Sequence, residues 1–592
     1  MSTRQSLGCQ LLGIFCSLVL LASSARGDAA YLPDSMVSWL HMEDPEIILA
    51  ETELAWPLEF QQLWITALSS PETDLRREVA DSVRQANEMG MEPIPELING
   101  LADLLKNPQE QERTRVAAAA TLAELDAKEY AELLFEQARI GPQMLTLAVE
   151  PALARWGYQP IREVWLQRVE SGKANHALLK MAIEMLGEIG EPKAVPALRA
   201  MALPGSRPVT LRLAAARSLA RCAQDSGQVL EWSASLLDAA SEPRVDWIVG
   251  AALLSEQETP AAIELLERYA LCSEGTAAGL ALERLLEIAP ARVVANASQL
   301  LQNSDSRVRL LTVRGLSTAP SPLAVDQLQP ILSDHINSVR VAARKVLLAY
   351  AEDPQLTAQV IQNAVEVLAA EDWRGLEQSL LMLTKLEVRD AVDRYFELLD
   401  HPRAAVQITA AWTLKTLAIE AWMPRMNQVM EKMGRDLDSA WDPDRTQTFT
   451  HLVEAMGIMR HKPAEAFLVE LIPKGVPYLP LCRTAAVWSI GFLQEGAIDP
   501  GIRGQLEGRL ADANSTPPES NEVRAFSAVA LGRMKSNESL ELLAKWQRTE
   551  GSSNFIGRRC AWAVREINGT PLPPLEQKSR TVAGWFLQPL DE

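Results

Sequence analysis

HINSVRVAARKVLLAY, residues 335–350, decides how this chain is read. Val341, Val346, Leu348 and Tyr350 fall on or beside one apolar stripe of a helix. Ala342, Ala343 and Ala349 keep that helix thin. Thirty-one residues before Arg340, the same arrangement occurs at Arg309 in DSRVRLLTVRGL, Asp305 to Leu316. It returns in NEVRAFSAVALGRM (Asn521 to Met534) and in GRRCAWAVREI (Gly557 to Ile567). Looser copies are TLRLAAARSLARC (Thr210 to Cys222) and RAAVQITAAWTLKTL (Arg403 to Leu417). Val339 and Val406 lie 67 residues apart, or two units of about 33. Arg483 and Arg524 are 41 apart, and Arg524 and Arg559 are 35 apart. Such intervals hold two short helices and their turns. One pair cannot bury its own stripe, so the next pair must cover it.

The Asp/Asn-x-x-Val-Arg-x-x-Ala-x-x-x-Leu arrangement resembles HEAT and HEAT-like repeats. The resemblance is densest over residues 300–350 and 479–567. It implies an all-α fold, a right-handed α-solenoid of stacked antiparallel helix pairs. It also implies a ladder of turn acids and helix arginines through the stack. Asp305 with Arg309, Asp334 with Arg340, and Arg524 stand at such positions. Pro and Gly fall mainly between helical stretches, as at Gly190-Glu191-Pro192, Asp353-Pro354 and His401-Pro402. About thirty helices, or fifteen pairs, are expected.

The chain begins with an export signal: Arg4, an apolar run from Leu11 to Ala22, then Ala25-Arg26-Gly27 with small residues at the cleavage positions. A run of twelve is too short to anchor stably across a bilayer; the alternative is an uncleaved interfacial anchor. The reading divides the chain into a signal peptide (1–27), a divergent amino-terminal segment or cap (28–70), the repeat solenoid (71–568) and an extended tail (569–592). It places the protein in the periplasm or outside the cell, with no stable membrane insertion after cleavage. The net charge of −20 repels nucleic acid, whose binding needs phosphate neutralisation by Lys and Arg. Loss of Arg4 and Arg26 takes the mature chain to about −22. Cys222, Cys272, Cys482 and Cys560 remain after cleavage; in an oxidising compartment they allow three pairings, and otherwise they are lone thiols in Ala-rich helices.

Catalytic signatures are missing. The six histidines form no His-x-x-x-His or Glu-x-x-His, and there is no Cys-x-x-Cys. His41 with Glu43 and Asp44 reads as a solvated loop rather than a metal site. HEAT-like metal hydroxylases carry His-Glu dipeptides, which this chain lacks. Gly-x-Ser-x-Gly and a phosphate-cradling glycine loop are absent as well. No catalytic, cofactor-binding or metal-binding residue is therefore assigned, and no cofactor is expected.

Aromatic residues are the remaining signal. Trp412, Trp488 and Trp562 lie inside repeat helices and read as core. Trp39, Trp56 and Trp64 read as a cap on the first repeat or as an apolar partner patch. Pro571, Pro573 and Pro574 interrupt the tail before Gly584-Trp585-Phe586-Leu587. Trp585 and Phe586 are candidate contacts, either to the last repeat or to a partner. The expected function is a non-catalytic scaffold or adaptor that binds a protein or peptide in the cell envelope. The alternatives are an enzyme or ligand carrier of the HEAT-like lyase type with a site in the groove, and an architectural subunit of an envelope assembly.

Overall fold

The computed structural model describes residues 42, 44–49, 52–56, 58–203, 207–223, 225–238, 244–437, 443–475, 478–575 and 578–581. The stretch read as a signal peptide (1–27), Trp39, His41, Glu43, Trp585 and Phe586 lie outside them. The chain divides into two compact units. The amino-terminal unit comprises Glu51–Gln327 with Gln577–Glu592; the carboxy-terminal unit comprises Leu328–Glu576 with Met1–Ala50.

Both units are built from helix pairs, and the second helix of each pair stacks on the second helix of the next. In the amino-terminal unit these second helices are α1 (Thr73–Glu88), α2 (Glu112–Glu124), α3 (Gln143–Arg155), α4 (His176–Glu188), α5 (Val209–Cys222), α6 (Arg244–Leu253), α7 (Gly275–Ile288) and α8 (Ser306–Leu316). In the carboxy-terminal unit they are α9 (Asn337–Tyr350), α10 (Trp373–Lys385), α11 (Ala404–Thr416), α12 (Pro443–Ile458), α13 (Pro480–Leu493), α14 (Asn521–Arg533) and α15 (Phe555–Asn568). All six stretches quoted above fall on these second helices. First helices such as Pro95–Lys106 and Leu540–Glu550 cover the outer side of each stack.

The ends of these helices are specified locally. Asp225, Asp353 and Asp372 accept backbone N–H bonds at helix starts, satisfying donors that have no partner within the helix. Gly569 closes α15 in the left-handed region at φ +77°, and Pro571 prevents the helix from resuming.

Close packing explains the alanines. A Cβ on Gly491 of α13 would stand 2.8 Å from Ala530 Cα of α14, and one on Gly532 of α14 would stand 2.7 Å from Ala563 Cα of α15. Backbone, not a movable side chain, fills those spaces. Several buried hydroxyls in the same layer are satisfied along the helix or across it. Thr384 bonds Leu380 O at 2.7 Å and Thr413 Oγ1 at 2.8 Å, and Ser489 of α13 bonds Val453 O of α12 at 2.9 Å.

In the amino-terminal unit, Trp64 is fully buried and Trp56 packs partly buried against the same core. These two tryptophans thus close the first repeat. A strand, β1 (Thr52–Ala55), pairs in parallel with β2 (Lys578–Thr581), with Thr52 opposite Lys578 and Ala55 opposite Thr581. This two-stranded pair had no signal in the sequence, because each strand is four residues long and its partner is more than 500 residues away. Among the described residues, no helix is long and apolar enough to cross a membrane.

Gly532→Val, introduced against α15, is expected to destabilise the carboxy-terminal unit by about 1–3 kcal/mol or more, the usual range for overpacking. Urea denaturation of the mature chain checks this; Gly504→Val, at a position with open space around it, is the control.

Candidate functional site

The repeat arginine sits in the first turn of its helix and reaches backward. Arg340 Nη1 donates to Asp334 O at 2.7 Å, and Arg309 Nη1 donates to Asn303 O and Ser304 O at 2.8 and 3.0 Å. Arg524 Nε donates to Leu510 O at 3.1 Å, Arg212 Nε to Ala202 O at 3.1 Å and Arg483 Nη2 to Ile472 O at 2.9 Å. These acceptors lie at or just beyond the end of a preceding helix. There the last carbonyls lack intrahelical donors and the helix dipole is negative. One buried guanidinium therefore ties the first helix of a pair to the second.

The remaining N–H groups run onward to an acid. Arg76 of α1 meets both oxygens of Glu110 at 2.7 and 2.8 Å. Arg483 of α13 does the same with Glu519, at 2.8 and 2.7 Å. Arg212 pairs with Asp246 of α6, and Arg524 Nη2 bonds Glu550 at 2.8 Å while stacking over Trp546. Asp305 and Asp334 also serve the turns in which they stand. The Asp305 carboxylate accepts from Arg307 N at 2.7 Å and fills the space left by Gly275. Asp334 Oδ1 accepts from Ile336 N at 2.8 Å. Arg340 also bonds Asn337 Oδ1 and lies over the Trp373 ring. Asp305, Arg309, Asp334, Arg340 and Arg524 thus hold helices together.

A different group of residues faces a non-helical segment. Trp488 and Phe492 are one turn apart on α13, with ring centroids 4.8 Å apart and planes at 76°. Arg533, the last residue of α14, lies 3.7 Å from the Phe492 centroid and 5.1 Å from that of Trp488. On this platform rests Asp44. Trp488 Nε1 donates to Asp44 O at 2.7 Å, Arg533 Nη2 donates to the same carbonyl, and Arg533 stands 3.1 Å from Asp44 Oδ2. Burial lowers the Arg533 pKa to about 10, and the Asp44 carboxylate works against that fall. The guanidinium therefore remains charged at neutral pH, held beneath two aromatic rings. Trp488 is buried, as a core residue would be, but its indole N–H serves the chain's own residue 44. Sequence reading missed Arg533, Phe492 and the role of Asp44. The available signal was Trp488-x-x-x-Phe492 on a repeat helix whose neighbour ends in arginine.

Two other places have ionisable groups. A cavity of about 260 Å³ in the amino-terminal unit is bordered by Phe135, Arg139, Thr146, Glu150, Ile161 and Arg168. Both Glu150 oxygens are engaged: Oε2 accepts from Trp165 Nε1 and Arg168 Nη1, and Oε1 accepts from Arg168 Nη2. In the other unit, Lys415 of α11 donates to Glu454 of α12 at 2.7 Å, with His451 Nδ1 3.6 Å from the same oxygen. Among the described residues, no three His, Cys, Asp or Glu side chains converge as a metal set. The four cysteines are free. Burial raises the thiol pKa of Cys222 to about 11 and those of Cys482 and Cys560 to about 12, so these three stay protonated. In the tail, Pro573 O accepts from Arg558 of α15, so the stretch just after the last helix folds back upon it.

No protein-family model matches this chain, and no curated protein matches its sequence. Solved structures match by fold. Kap121p bound to Nup53p is 14% identical with a TM-score of 0.51, covering 87% of this chain and 57% of that one. Importin beta in an ammonium sulfate condition is 12% identical with a TM-score of 0.49, covering 86% and 72%. Yeast importin-beta (Kap95p) is 11% identical with a TM-score of 0.48, again covering 86% and 72%. This chain spans little more than half of the Kap121p chain. The protein is a HEAT-like repeat α-solenoid by fold.

Glu519 offers a test of the ladder. Burial opposes its charge, but the bonds and charge of Arg483, with Ser520 N and Arg509, outweigh burial and hold its pKa below the ordinary value of 4.5. A lowered carboxylate pKa stabilises the fold above the unfolded value, and that contribution disappears as pH falls through the folded one. Glu519→Ala should cost about 3–5 kcal/mol at pH 7, because it leaves Arg483 buried without its acid. The gap between wild type and variant should narrow as pH falls below 4.5. Urea titrations at pH 7 and at several points below 4.5 check both.

Proposed function

We propose that this chain is a non-catalytic scaffold or adaptor that binds a protein or peptide partner in the cell envelope. The observation that carries the reading is the seat on α13 and α14. There, two helix side chains, Trp488 and Arg533, hold the backbone carbonyl of a non-helical segment. Recognition through a main-chain carbonyl suits peptides, since every residue offers one. The seat lies on second helices, whose stacked faces give a solenoid a long surface for many weak contacts. Kap121p, the solenoid of similar fold, has been solved bound to a protein, Nup53p. The envelope setting comes from the amino-terminal sequence: Arg4, the apolar run and Ala25-Arg26-Gly27. The net charge of −20 disfavours nucleic acid as the partner.

For the enzyme or ligand-carrier alternative, the cavity beside Glu150 is one candidate place. A general acid or base needs a carboxylate oxygen open to substrate. Both Glu150 oxygens are already held by Trp165 and Arg168, so that cavity supports a buried ion pair better than a reaction.

A photo-crosslinking amino acid at Ile48, whose side chain is exposed beside the seat, tests the scaffold reading in the native envelope fraction. The expected result is one stoichiometric protein adduct, reduced when the reactive group is moved to Ile140 on the other unit. A mature chain that copurifies with a metal or small molecule and forms no protein adduct at either position would contradict it.

A further inference from the structure

The segment at residues 44–49 fits its seat only in part. Asp44 meets Trp488 and Arg533 through its carbonyl, and Arg533 through one carboxylate oxygen. The rest of the segment is exposed or half-buried. The Asp44 side chain is 68% exposed, and Ile48, at 66%, offers a large apolar side chain to water. Beneath them the platform is better built than its occupant requires. Arg533 is more than nine-tenths buried, and its Nη1 is a buried donor without a hydrogen-bond acceptor among the described residues. Leaving a charged buried donor unsatisfied is costly, so a ligand supplying one more acceptor gains what the present segment does not.

From this mismatch, and resting on the scaffold reading above, we infer that the Trp488–Phe492–Arg533 platform is a binding site for an acidic peptide segment of a partner protein, and that residues 44–49 occupy it in cis until the partner displaces them. The chemistry of the site defines the ligand. Its anchor is an Asp or Glu whose backbone carbonyl is free, because Trp488 Nε1 and Arg533 Nη2 both address that carbonyl while the guanidinium faces the carboxylate. A second oxygen acceptor from the partner takes Arg533 Nη1. Phe492 and Trp488 supply the aromatic wall against which the guanidinium is fixed, so charge and direction are set before the ligand arrives.

Cis occupancy has a quantitative consequence. A tethered segment competes at an effective concentration in the millimolar range, so the apparent Kd of an added peptide is its intrinsic Kd divided by the fraction of molecules whose seat is empty. Weakening the cis contact should therefore strengthen binding in trans, the opposite of what loss of a structural contact would do. Asp44→Lys places a cation against Arg533 and should empty the seat.

The test uses the mature full-length chain and a synthetic, fluorescently labelled peptide of the chain's own residues 42–49, MEDPEIIL. Fluorescence anisotropy should give about tenfold or tighter binding to Asp44→Lys than to wild type. Trp488→Phe in the Asp44→Lys background, which keeps an aromatic ring but removes the indole donor, should weaken binding again. A peptide in which the aspartate is replaced by asparagine should bind the Asp44→Lys chain several-fold less tightly; this arm changes only the ligand and leaves the folded protein untouched. Equal binding by wild type and Asp44→Lys, or equal binding of the aspartate and asparagine peptides, would overturn the assignment. These results are separable from the scaffold reading. A protein adduct at Ile48 together with failure of the peptide series would reject the acidic-peptide site alone. Peptide binding without any envelope adduct would leave the seat and reject the scaffold.

Discussion

A buried arginine in the first turn of the second helix is the interaction on which the rest of the structure depends. An isolated guanidinium inside a protein is expensive, and here the cost is met twice. Arg340 and Arg309 donate to carbonyls of the turn behind them, and Arg212, Arg483 and Arg524 bind both a carbonyl behind and an acid ahead. The same side chain thus closes a helix pair and joins it to the next. A hydrophobic stripe alone would permit pairs to slide along one another; directional bonds to particular carbonyls fix the register. Small residues at Gly491, Ala530, Gly532 and Ala563 then allow the second helices to approach to backbone contact.

This construction leaves an inner layer with little chemistry of its own. Threonines and serines such as Thr384 and Ser489 spend their hydroxyls on helix carbonyls, the Arg483–Glu519 pair is internally matched, and three of the layer's thiols are kept protonated by burial. What the layer offers is a surface on which side chains can be placed at repeat spacing. Trp488, Phe492 and Arg533 use two successive second helices in this way. The donors they present are addressed to a carbonyl and a carboxylate, which is peptide chemistry rather than metal or nucleophile chemistry.

Much of this architecture was legible in the sequence, for a physical reason. The repeat signal is local: Val-Arg, two small residues and a leucine within one helix announce the stack, and every stretch read that way is a second helix. The acids that complete the ladder were not legible. Glu110, Asp246 and Glu519 stand 34 to 36 residues from their arginines, but Glu550 stands only 26 from Arg524, because Glu110 and Glu519 come from loops, Asp246 from a helix start and Glu550 from a helix end. The seat was less legible still. Asp44 and Arg533 are 489 residues apart, and nothing in either neighbourhood encodes the other. Trp488 looked like core because it is core on one side; only its indole N–H shows its second role. Trp64, read from the sequence as either a cap or an apolar patch, is fully buried in the core of the amino-terminal unit.

Hydrogen exchange of the chain, free and saturated with whatever protein partner the Ile48 crosslink captures, tests the central claim most directly. The account predicts that the partner slows exchange in α13 and α14 while residues 44–49 exchange faster, as the cis segment gives up its seat. Protection confined to the amino-terminal unit, with residues 44–49 and both helices unchanged, would contradict it.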